Sequence, residues 1–329
     1  MRTTRRAALA LPLAAGAAGR PARAQPAAAW PGQTVRVVVA YVAGGTTDIV
    51  ARMAAEGLAE RLAPRGATVV VENRAGGGGV VGTESVVRAA PDGHTLLLCA
   101  SAHAVFPELN PNLGWDPVAD FTPVGTVAAT PYMLIAHPGL PVRTVPELIA
   151  HARANPGRLN YASTGIGTAQ HLSGELLRRQ AGIDIVHVPY RGSGAVRADL
   201  LAGRINFMFE NLALTLAMTR SGEVRGLAVT SPERSPGAPD LPTMAEVGLP
   251  EMRIEGWFGL LGPRGLPPGV VAALNAALNE WLGQPATVQR LAGLGARALG
   301  GPPEALAALV RAERGKWGRV IREAGIRVE

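Results

Sequence analysis

Apolar residues along this chain follow two alternating spacings. Short runs of apolar and often β-branched residues, which are typical of buried strands, alternate with stretches in which apolar residues recur every three or four positions, as on one face of a helix. The strand-like runs are 35–42, 68–72, 95–100, 132–136, 183–188, 205–209, 223–230 and 256–262, and the helical stretches include 49–62, 169–180 and 195–202. This alternation predicts an α/β fold with mainly parallel sheets.

Two parts of the chain repeat one design: a strand, a turn rich in glycine and threonine, an amphipathic helix, and a second strand that ends in a basic residue followed by glycine. The first reads VVVAYVAGGTTDIVARMAAEGLAERL and continues to ATVVVENRAGGGG, and the second reads LNYASTGIGTAQHLSGELLRRQAG and continues to IDIVHVPYRGSG. Each turn places backbone N–H groups and hydroxyls at the positive end of a helix, where an anion binds readily. Two facing copies predict a carboxylate clamp, although either turn alone could be an ordinary strand-to-helix connection.

Threonines mark the expected starts of both helices. Thr46 or Thr47 is predicted to cap the helix that begins near Asp48, and Thr168 is predicted to cap the helix before His171. A threonine hydroxyl in this position accepts a hydrogen bond from an N–H group of the first helical turn.

The first 24 residues predict an export signal. Three arginines within the first six residues precede an apolar run over 7–18, and the sequence Ala-Arg-Ala before Gln25 suits a signal peptidase. The run is shorter than the roughly 20 residues that span a bilayer, so a retained membrane anchor is the less favoured interpretation. The pair Arg5-Arg6 also suits a twin-arginine signal, which leaves the export route open. We therefore expect a periplasmic protein that begins at Gln25.

Removal of this segment abolishes most of the positive charge. The full chain has 32 Lys and Arg against 25 Asp and Glu, a formal charge of +7, and the segment holds five arginines and no acidic residue. The remaining chain keeps 27 basic and 25 acidic residues, a formal charge of +2. Its arginines are scattered without interleaved aromatic residues, which argues against a nucleic-acid groove or a polybasic membrane patch.

Common catalytic and metal-binding patterns do not fit the chain. Cys99 is the only cysteine, lies in the apolar run TLLLCA, and is predicted to be a buried structural thiol. A Gly-x-Gly-x-x-Gly pattern over 77–82 follows a strand but lacks the acidic residue that a dinucleotide site needs about 20 positions later. The sequence has no phosphate-loop, nucleophile-elbow or HExxH pattern. It therefore predicts a protein that is not an enzyme, and its length favours two domains.

Several long motifs, in one order, resemble the Bug-type or TctC-like extracytoplasmic solute receptors of tripartite tricarboxylate transporters. They are VVVAYVAGGTTDIVAR, VVVENRAGGGGVVGTESVVRAAPDGHTLLL, DFTPVG, LNYASTGIGTAQHLSGELL, HVPYRGSGAVRADLLAGRINFMFEN, VRGLAVTS followed by PDLPTMAEVG, and GGPPEAL. The resemblance implies a type II-like periplasmic-binding-protein clamshell, with two mainly parallel-sheet lobes around a ligand cleft. Lobe 1 would comprise 33–125 plus 255–329, and lobe 2 would comprise 126–254.

The resemblance also assigns both turns to ligand binding. Family members hold carboxylate-bearing solutes there, often through ordered waters. The ligand-binding residues implied for this chain are Ala43, Gly44, Gly45, Thr46 and Asp48 in the first loop and Ser163, Thr164, Gly165, Gly167, Thr168 and His171 in the second. Ala40, Tyr41 and Ala43 depart from the proline, phenylalanine and proline common in the family, which leaves the identity of the ligand open.

Further candidates lie at strand ends, where ligands bind in α/β sheets. Ser101 and Ala102 follow the third strand, and Tyr190 and Arg191 follow a strand of the second lobe. Arg191 could pair with a ligand carboxylate or be an ordinary solvated arginine. Glu210 stands where many relatives have an aspartate, and it could accept a hydrogen bond from a ligand amine or hydroxyl or cap the next helix.

The sequence thus predicts a receptor that captures a small organic carboxylate, such as a di- or tricarboxylate, an acidic amino acid or an aromatic acid. Its predicted partners are the integral membrane subunits of a tripartite tricarboxylate transporter. An orphan carboxylate sensor that signals to a membrane kinase is the alternative, because the same clamshell would serve both. We expect a monomer that binds no nucleic acid, cofactor or metal.

Overall fold

The computed structural model describes residues 30–326 apart from 111 and 191, so the predicted export signal and Arg191 lie outside the described residues. The strands are β1 (Val35–Val39), β2 (Val69–Asn73), β3 (Thr95–Ala100), β4 (Phe121–Ala136), β5 (Leu159–Ser163), β6 (Ile185–Pro189), β7 (Phe207–Asn211), β8 (Arg225–Val229), β9 (Glu255–Pro263) and β10 (Arg297–Ala298). The helices are α1 (Thr46–Leu62), α2 (Val80–Val87), α3 (Phe106–Leu109), α4 (Val145–Ala154), α5 (Ala169–Ala181), α6 (Ser193–Leu201), α7 (Leu212–Arg220), α8 (Pro268–Leu282), α9 (Pro285–Gly293) and α10 (Pro303–Ala324). In this part of the chain, no helix is long and apolar enough to cross a membrane.

Strand β4 belongs to both halves of one continuous sheet. The strand order is β2-β1-β3-β9-β4-β7-β5-β6, and β8 and β10 also pair with β4. Residues from Phe121 to Pro131 of β4 pair with β9, whereas residues from Tyr132 to Ala136 pair with β7. We call the half with β1, β2, β3 and β9 the first lobe and the half with β5 to β8 the second lobe. The chain passes from one lobe to the other along β4 and returns along β9.

The sheet combines parallel and antiparallel pairs. β1 pairs in parallel with β2 and β3, and β5 pairs in parallel with β6 and β7. The pairings of β4 and β9 are antiparallel, because these two strands carry the chain between the lobes in opposite directions. The α/β prediction is confirmed, and the sheet is mixed where the sequence predicted mainly parallel strands.

Each lobe has apolar packing on both faces of its part of the sheet. Val37 of β1 packs with α1 and α8 on one face, and its neighbour Val38 packs on the opposite face. In the second lobe, Tyr161 of β5 packs on one face of the sheet and its neighbour Ala162 packs on the opposite face. Alternate residues of a strand face opposite sides, so continuous apolar runs such as these indicate strands buried on both faces.

Helix α10 packs on both lobes. Leu306 and Val310, in its first half, are buried in the first-lobe core, and Trp317 and Ile321, in its second half, are buried in a core formed mainly by the second lobe. The helix therefore spans the junction beside β4 and β9. The lobe boundaries at 125/126 and 254/255 stay predictions.

Gly57→Ala should destabilise the fold, because a Cβ atom at this position of α1 would lie 2.2 Å from Cδ1 of Trp281 in α8. Overpacking of this kind costs about 1–3 kcal/mol, which exceeds the gain of at most about 1 kcal/mol in helix propensity. Gly315→Ala in α10 is the matched control, since a Cβ atom there meets nothing within 4 Å. It should stabilise the protein. Urea unfolding measures both changes, and effects of the same sign would contradict the close packing of α1 on α8.

Candidate functional site

Asp48 organises the loop between β1 and α1. Its carboxylate accepts hydrogen bonds from the backbone N–H of Gly44 (2.9 Å), from Nε of Arg52 (3.0 Å) and from Nδ2 of Asn73 (3.0 Å). Burial alone would raise the pKa of Asp48, but these hydrogen bonds and the Arg52 charge bring it below the ordinary value. Asn73 also donates to the carbonyl oxygen of Tyr41 (3.1 Å). Asp48 therefore fixes the shape of the first loop.

Helix α1 begins at Thr46, two residues earlier than predicted, and Gly45 is its N-cap residue. No side chain caps this end, so the prediction of a threonine cap is wrong. The first N–H groups of any α-helix lack intrahelical partners, and here no capping side chain accepts from them either. The hydroxyl of Thr46 is buried, and it has no hydrogen-bond partner among the described residues. Ala43 and Gly44, by contrast, are exposed on the same loop.

Hydroxyl groups of the second loop converge on one carbonyl oxygen. Oγ of Ser163 donates to the carbonyl oxygen of Gly165 (2.9 Å), and Oγ1 of Thr168 donates to the same oxygen (2.7 Å). Oγ1 of Thr168 also accepts from the N–H of His171 (3.5 Å), so the predicted cap of α5 is confirmed. Gly165 and Gly167 have φ angles of +145° and +78°, which favour glycine. Hydrogen bonds within the loop therefore fix its shape. Thr164, between Ser163 and Gly165, is partly exposed.

Two stacked histidines support the second loop. Their ring centroids lie 3.9 Å apart, with 12° between the planes of His171 and His187. Nδ1 of His171 accepts from the N–H of Gly167 (3.0 Å), and Nε2 of His187 lies 2.7 Å from Oγ of Ser163. Burial lowers the pKa of His171 to about 4. Burial, with the neighbouring His171, lowers the pKa of His187 to about 3. Both rings are therefore neutral at pH 7.

Each loop packs against a segment that follows a strand of the other lobe. A Cβ atom placed on Gly192 would lie 3.1 Å from Cγ2 of Val42, and one placed on Gly167 would collide with the side chain of Leu109. The N–H of Tyr190 donates to the carbonyl oxygen of Ser163 (2.9 Å), while the Tyr190 hydroxyl donates to Asp199 (2.6 Å). Tyr190 thus adjoins the second loop, but its hydroxyl is engaged by α6.

Six polar side chains from both lobes are neighbours of one another, and we call them the central cluster: Tyr41, Ser101, Tyr132, Gln170, Glu210 and Asn211. Ser101 lies near the hydroxyl of Tyr132, and burial together with the nearby Glu210 raises the pKa of Tyr132. Tyr41 also lies close enough to influence that pKa. Sequence analysis identified Ser101 and Glu210 but missed the other four. Ala102, predicted beside Ser101, is packed in the first-lobe core.

Glu210 is buried at the end of β7, with 5% of its surface exposed. Its Oε1 accepts from the N–H of Asn211 (2.7 Å), from Nδ2 of Asn211 (3.3 Å) and from Nε2 of Gln170 (3.4 Å). Burial raises the pKa of this carboxyl, and the amide donors oppose the shift. Asn211 is the N-cap residue of α7, so Glu210 binds the residue that precedes this helix.

A separate groove of about 480 Å³ lies beside α10, away from both loops. Several of its charged groups bind other parts of the protein. Arg297 pairs with Glu255 (2.8 Å), and Nζ of Lys316 donates to the carbonyl oxygen of Arg253 (3.0 Å). The loops, with their open N–H groups and the buried hydroxyl of Thr46, are therefore the better candidate for solute binding.

The protein-family comparison identifies the chain. The model of the tripartite tricarboxylate transporter family receptor, TctC, matches residues 50–326. The chain belongs to the TctC family. This family consists of receptors and not of enzymes, and the resemblance predicted from the sequence motifs is confirmed.

Solved structures of related proteins share the fold of this TctC receptor. The periplasmic binding protein BugD is 37% identical, with a TM-score of 0.84 over 91% of this chain and 100% of that chain. Rpa4515 from R. palustris, solved with adipate, is 36% identical, with a TM-score of 0.86 over 91% of this chain and 100% of that chain. MatC from Rhodopseudomonas palustris, solved with bound malate, is 35% identical, with a TM-score of 0.81 over 89% of this chain and 100% of that chain. The clamshell prediction is thereby confirmed.

Two threonine substitutions should have different effects on stability. Thr46→Val removes a buried hydroxyl without a described partner, so the ligand-free receptor should be as stable as the wild type or more stable. Thr168→Val removes the cap of α5 and should cost about 0.5–2 kcal/mol. Urea unfolding without ligand compares them. A loss for Thr46→Val as large as that for Thr168→Val would show that the Thr46 hydroxyl has a structural partner.

Acid should destabilise the receptor through His171 and His187. Their folded-state pKa values of about 4 and about 3 lie below the ordinary value of 6.5. Below pH 6.5 the unfolded chain therefore binds protons that the folded chain does not, and stability falls as the pH drops toward 4. Urea midpoints at pH 7.5, 6.0 and 5.0 should show this decrease. His187→Asn, which removes one of the two titrating groups, should show a smaller decrease, and an unchanged pH dependence would contradict the assignment.

Proposed function

We propose that this TctC receptor is exported to the periplasm, captures a small organic carboxylate between its lobes and delivers it to the integral membrane subunits of a tripartite tricarboxylate transporter. The observation that carries the proposal is the pair of glycine-rich loops that precede α1 and α5, each of which packs against a segment that follows a strand of the other lobe. Export is supported by the basic and apolar pattern of residues 1–24.

The loops suit a carboxylate for two reasons. First, the N-terminus of each helix presents N–H groups and a partial positive charge, and together these favour an anion. Second, the loop side chains Asp48, Ser163 and Thr168 are engaged with their own backbone. These bonds hold the loops in place and leave backbone N–H groups to bind the solute. The buried hydroxyl of Thr46 supplies a further donor at the first loop.

Contact with both lobes also explains how binding could signal to a transporter. A solute that contacts both loops binds the closed arrangement more tightly than an open one, so it shifts the population toward closure. β4, β9 and α10 connect the lobes and would bend or pivot in this motion. The membrane subunits would then distinguish a loaded receptor from an empty one by its shape. The carboxylate ligands in the structures of Rpa4515 and MatC support this assignment of ligand class.

Gly45→Val should weaken carboxylate binding by at least about tenfold without disturbing the fold. Gly45 has a φ angle of −81°, and a Cβ atom there would meet only the carbonyl oxygen of Val42, at 3.9 Å. The branched side chain would instead obstruct the N-terminus of α1. Thr46→Val should weaken the same ligand, because a hydrogen bond to a charged group contributes about 1.5–3 kcal/mol.

A thermal-shift screen of small mono-, di- and tricarboxylates identifies ligands, and calorimetry then measures their affinities for each variant. Gly269→Val is the control for Gly45→Val, since Gly269 is exposed in the first turn of α8 with nothing within 4 Å of a Cβ atom. Its affinity should equal that of the wild type. The proposal is wrong if no carboxylate binds, or if folded Gly45→Val binds as tightly as the wild type.

A further inference from the structure

A short segment of the first lobe, which we call the bridging segment, contributes side chains to two apolar cores. It covers 101–109, directly after β3, and consists of a short 3₁₀ helix followed by α3. Ala102 and Phe106 are buried in the first-lobe core, whereas Val105 and Leu109 are buried in the core formed mainly by the second lobe. The segment therefore presents one apolar surface to each lobe.

Aromatic contacts attach the bridging segment to the first lobe. The ring of Phe106 packs edge-on against Trp115, with centroids 5.7 Å apart and 86° between the planes, and edge-on against His103, with centroids 6.4 Å apart. Nε2 of His103 lies 2.9 Å from the carbonyl oxygen of Pro117. Edge-to-face pairs such as these favour one relative orientation of the rings. Together with the direct continuation from β3, they indicate that the segment moves with the first lobe.

Leu109, the last residue of α3, packs on the backbone of the second loop. Only 3% of its surface is exposed. A Cβ atom placed on Gly167 would collide with Cδ1 of Leu109 and lie 3.2 Å from its Cγ. Gly167 has a φ angle of +78°, and its N–H donates to Nδ1 of His171 (3.0 Å). Leu109 therefore contacts a part of the loop whose position is fixed relative to the start of α5.

This contact links the two lobes without involving a solute. Leu109 belongs to the first lobe by its connection to β3, and Gly167 belongs to the second lobe. Separation of the lobes would withdraw the leucine from the second loop and expose apolar surface to water, which is unfavourable. The contact therefore stabilises the closed arrangement, and it does so by the same amount whichever solute is bound.

We propose that Leu109 is a positioning residue that holds the second loop in the closed arrangement, so that affinity depends on an apolar contact between the lobes as well as on the carboxylate site. This inference rests on the proposed function, because it concerns how the same site closes. A solute binds less tightly when the arrangement that binds it is less populated.

Leu109→Ala tests the proposal by calorimetry at pH 7.5 with carboxylates of the screen, among them adipate, malate, succinate and citrate. Each compound that binds the wild type should bind the variant at least about tenfold more weakly, because closure is less favourable. The factor should be similar for all of them, since Leu109 acts through the protein and not through the solute. Leu109→Met, which has a similar volume, should restore the wild-type affinity to within about threefold.

Leu148→Ala is the matched control. Leu148 of α4 is fully buried in the same core of the second lobe, and α4 precedes β5. Its truncation should lower the urea midpoint as a cavity in the core does, yet the folded variant should bind each carboxylate as tightly as the wild type. The comparison separates an effect on closure from a general loss of stability.

The outcomes separate this inference from the proposed function. If no carboxylate binds the wild type, the proposed function is wrong and the inference falls with it. If the wild type binds and folded Leu109→Ala binds as tightly, the receptor assignment stands and the role of Leu109 is overturned. Equal losses for Leu109→Ala and Leu148→Ala would overturn it as well.

A milder variant covers the case in which Leu109→Ala does not fold. Leu109→Val shortens the side chain and should weaken every bound carboxylate by at least about threefold, because less apolar surface reaches the second loop. An unchanged affinity in the folded valine variant would overturn the inference. The urea midpoint of each variant shows that it is folded.

Discussion

The candidate binding site depends on the continuous pairing of β4 with strands of both lobes. This 16-residue strand pairs with β9 up to Pro131 and with β7 from Tyr132 onward, so one backbone connects the two halves. The pairing brings the carboxyl ends of β1 and β3 opposite those of β5 and β7, where ligands bind in α/β sheets. The approach of Val42 to Gly192 and of Leu109 to Gly167 shows the result. Without this shared strand, the two loops would belong to unrelated surfaces.

Within that frame, the loops are shaped by bonds that they make to themselves. Asp48, Ser163 and Thr168 have the side chains expected of ligand contacts, yet each is engaged with loop backbone or with the start of its helix. A loop whose geometry is already fixed loses little conformational entropy when a solute arrives. The residues that the sequence singled out thus act mainly by positioning N–H groups, and the Thr46 hydroxyl is the side-chain group left available at the first loop.

Most of the fold could be predicted from the sequence because it depends on strongly periodic segments. The runs that became β1, β3, β5 and β7 and the helical stretches of α1 and α5 were all recognisable. The first eleven residues of β4 were missed, since FTPVGTVAATP is rich in glycine, proline and threonine and only becomes a strand by pairing with β9. The cap of α5 was predicted correctly, whereas the threonine cap predicted for α1 was wrong, because the helix begins one residue after Gly45, which has no side chain that could accept a hydrogen bond.

The candidate site was only half predictable for a related reason. Loop residues carry local signals, namely glycines and hydroxyls before a helix, but the central cluster is assembled from distant positions that have no common motif. Tyr41 and Ser101 come from the first lobe, Tyr132 from the crossing strand, and Glu210 from the second lobe.

This assembly has a mechanical consequence. Separation of the lobes would move Ser101 away from Tyr132 and expose the cluster to water, which would hydrate Glu210. Closure removes that hydration and leaves Oδ1 of Asn211 buried without a partner among the described residues. The free energy of closure therefore depends on whether a bound solute forms hydrogen bonds with these groups.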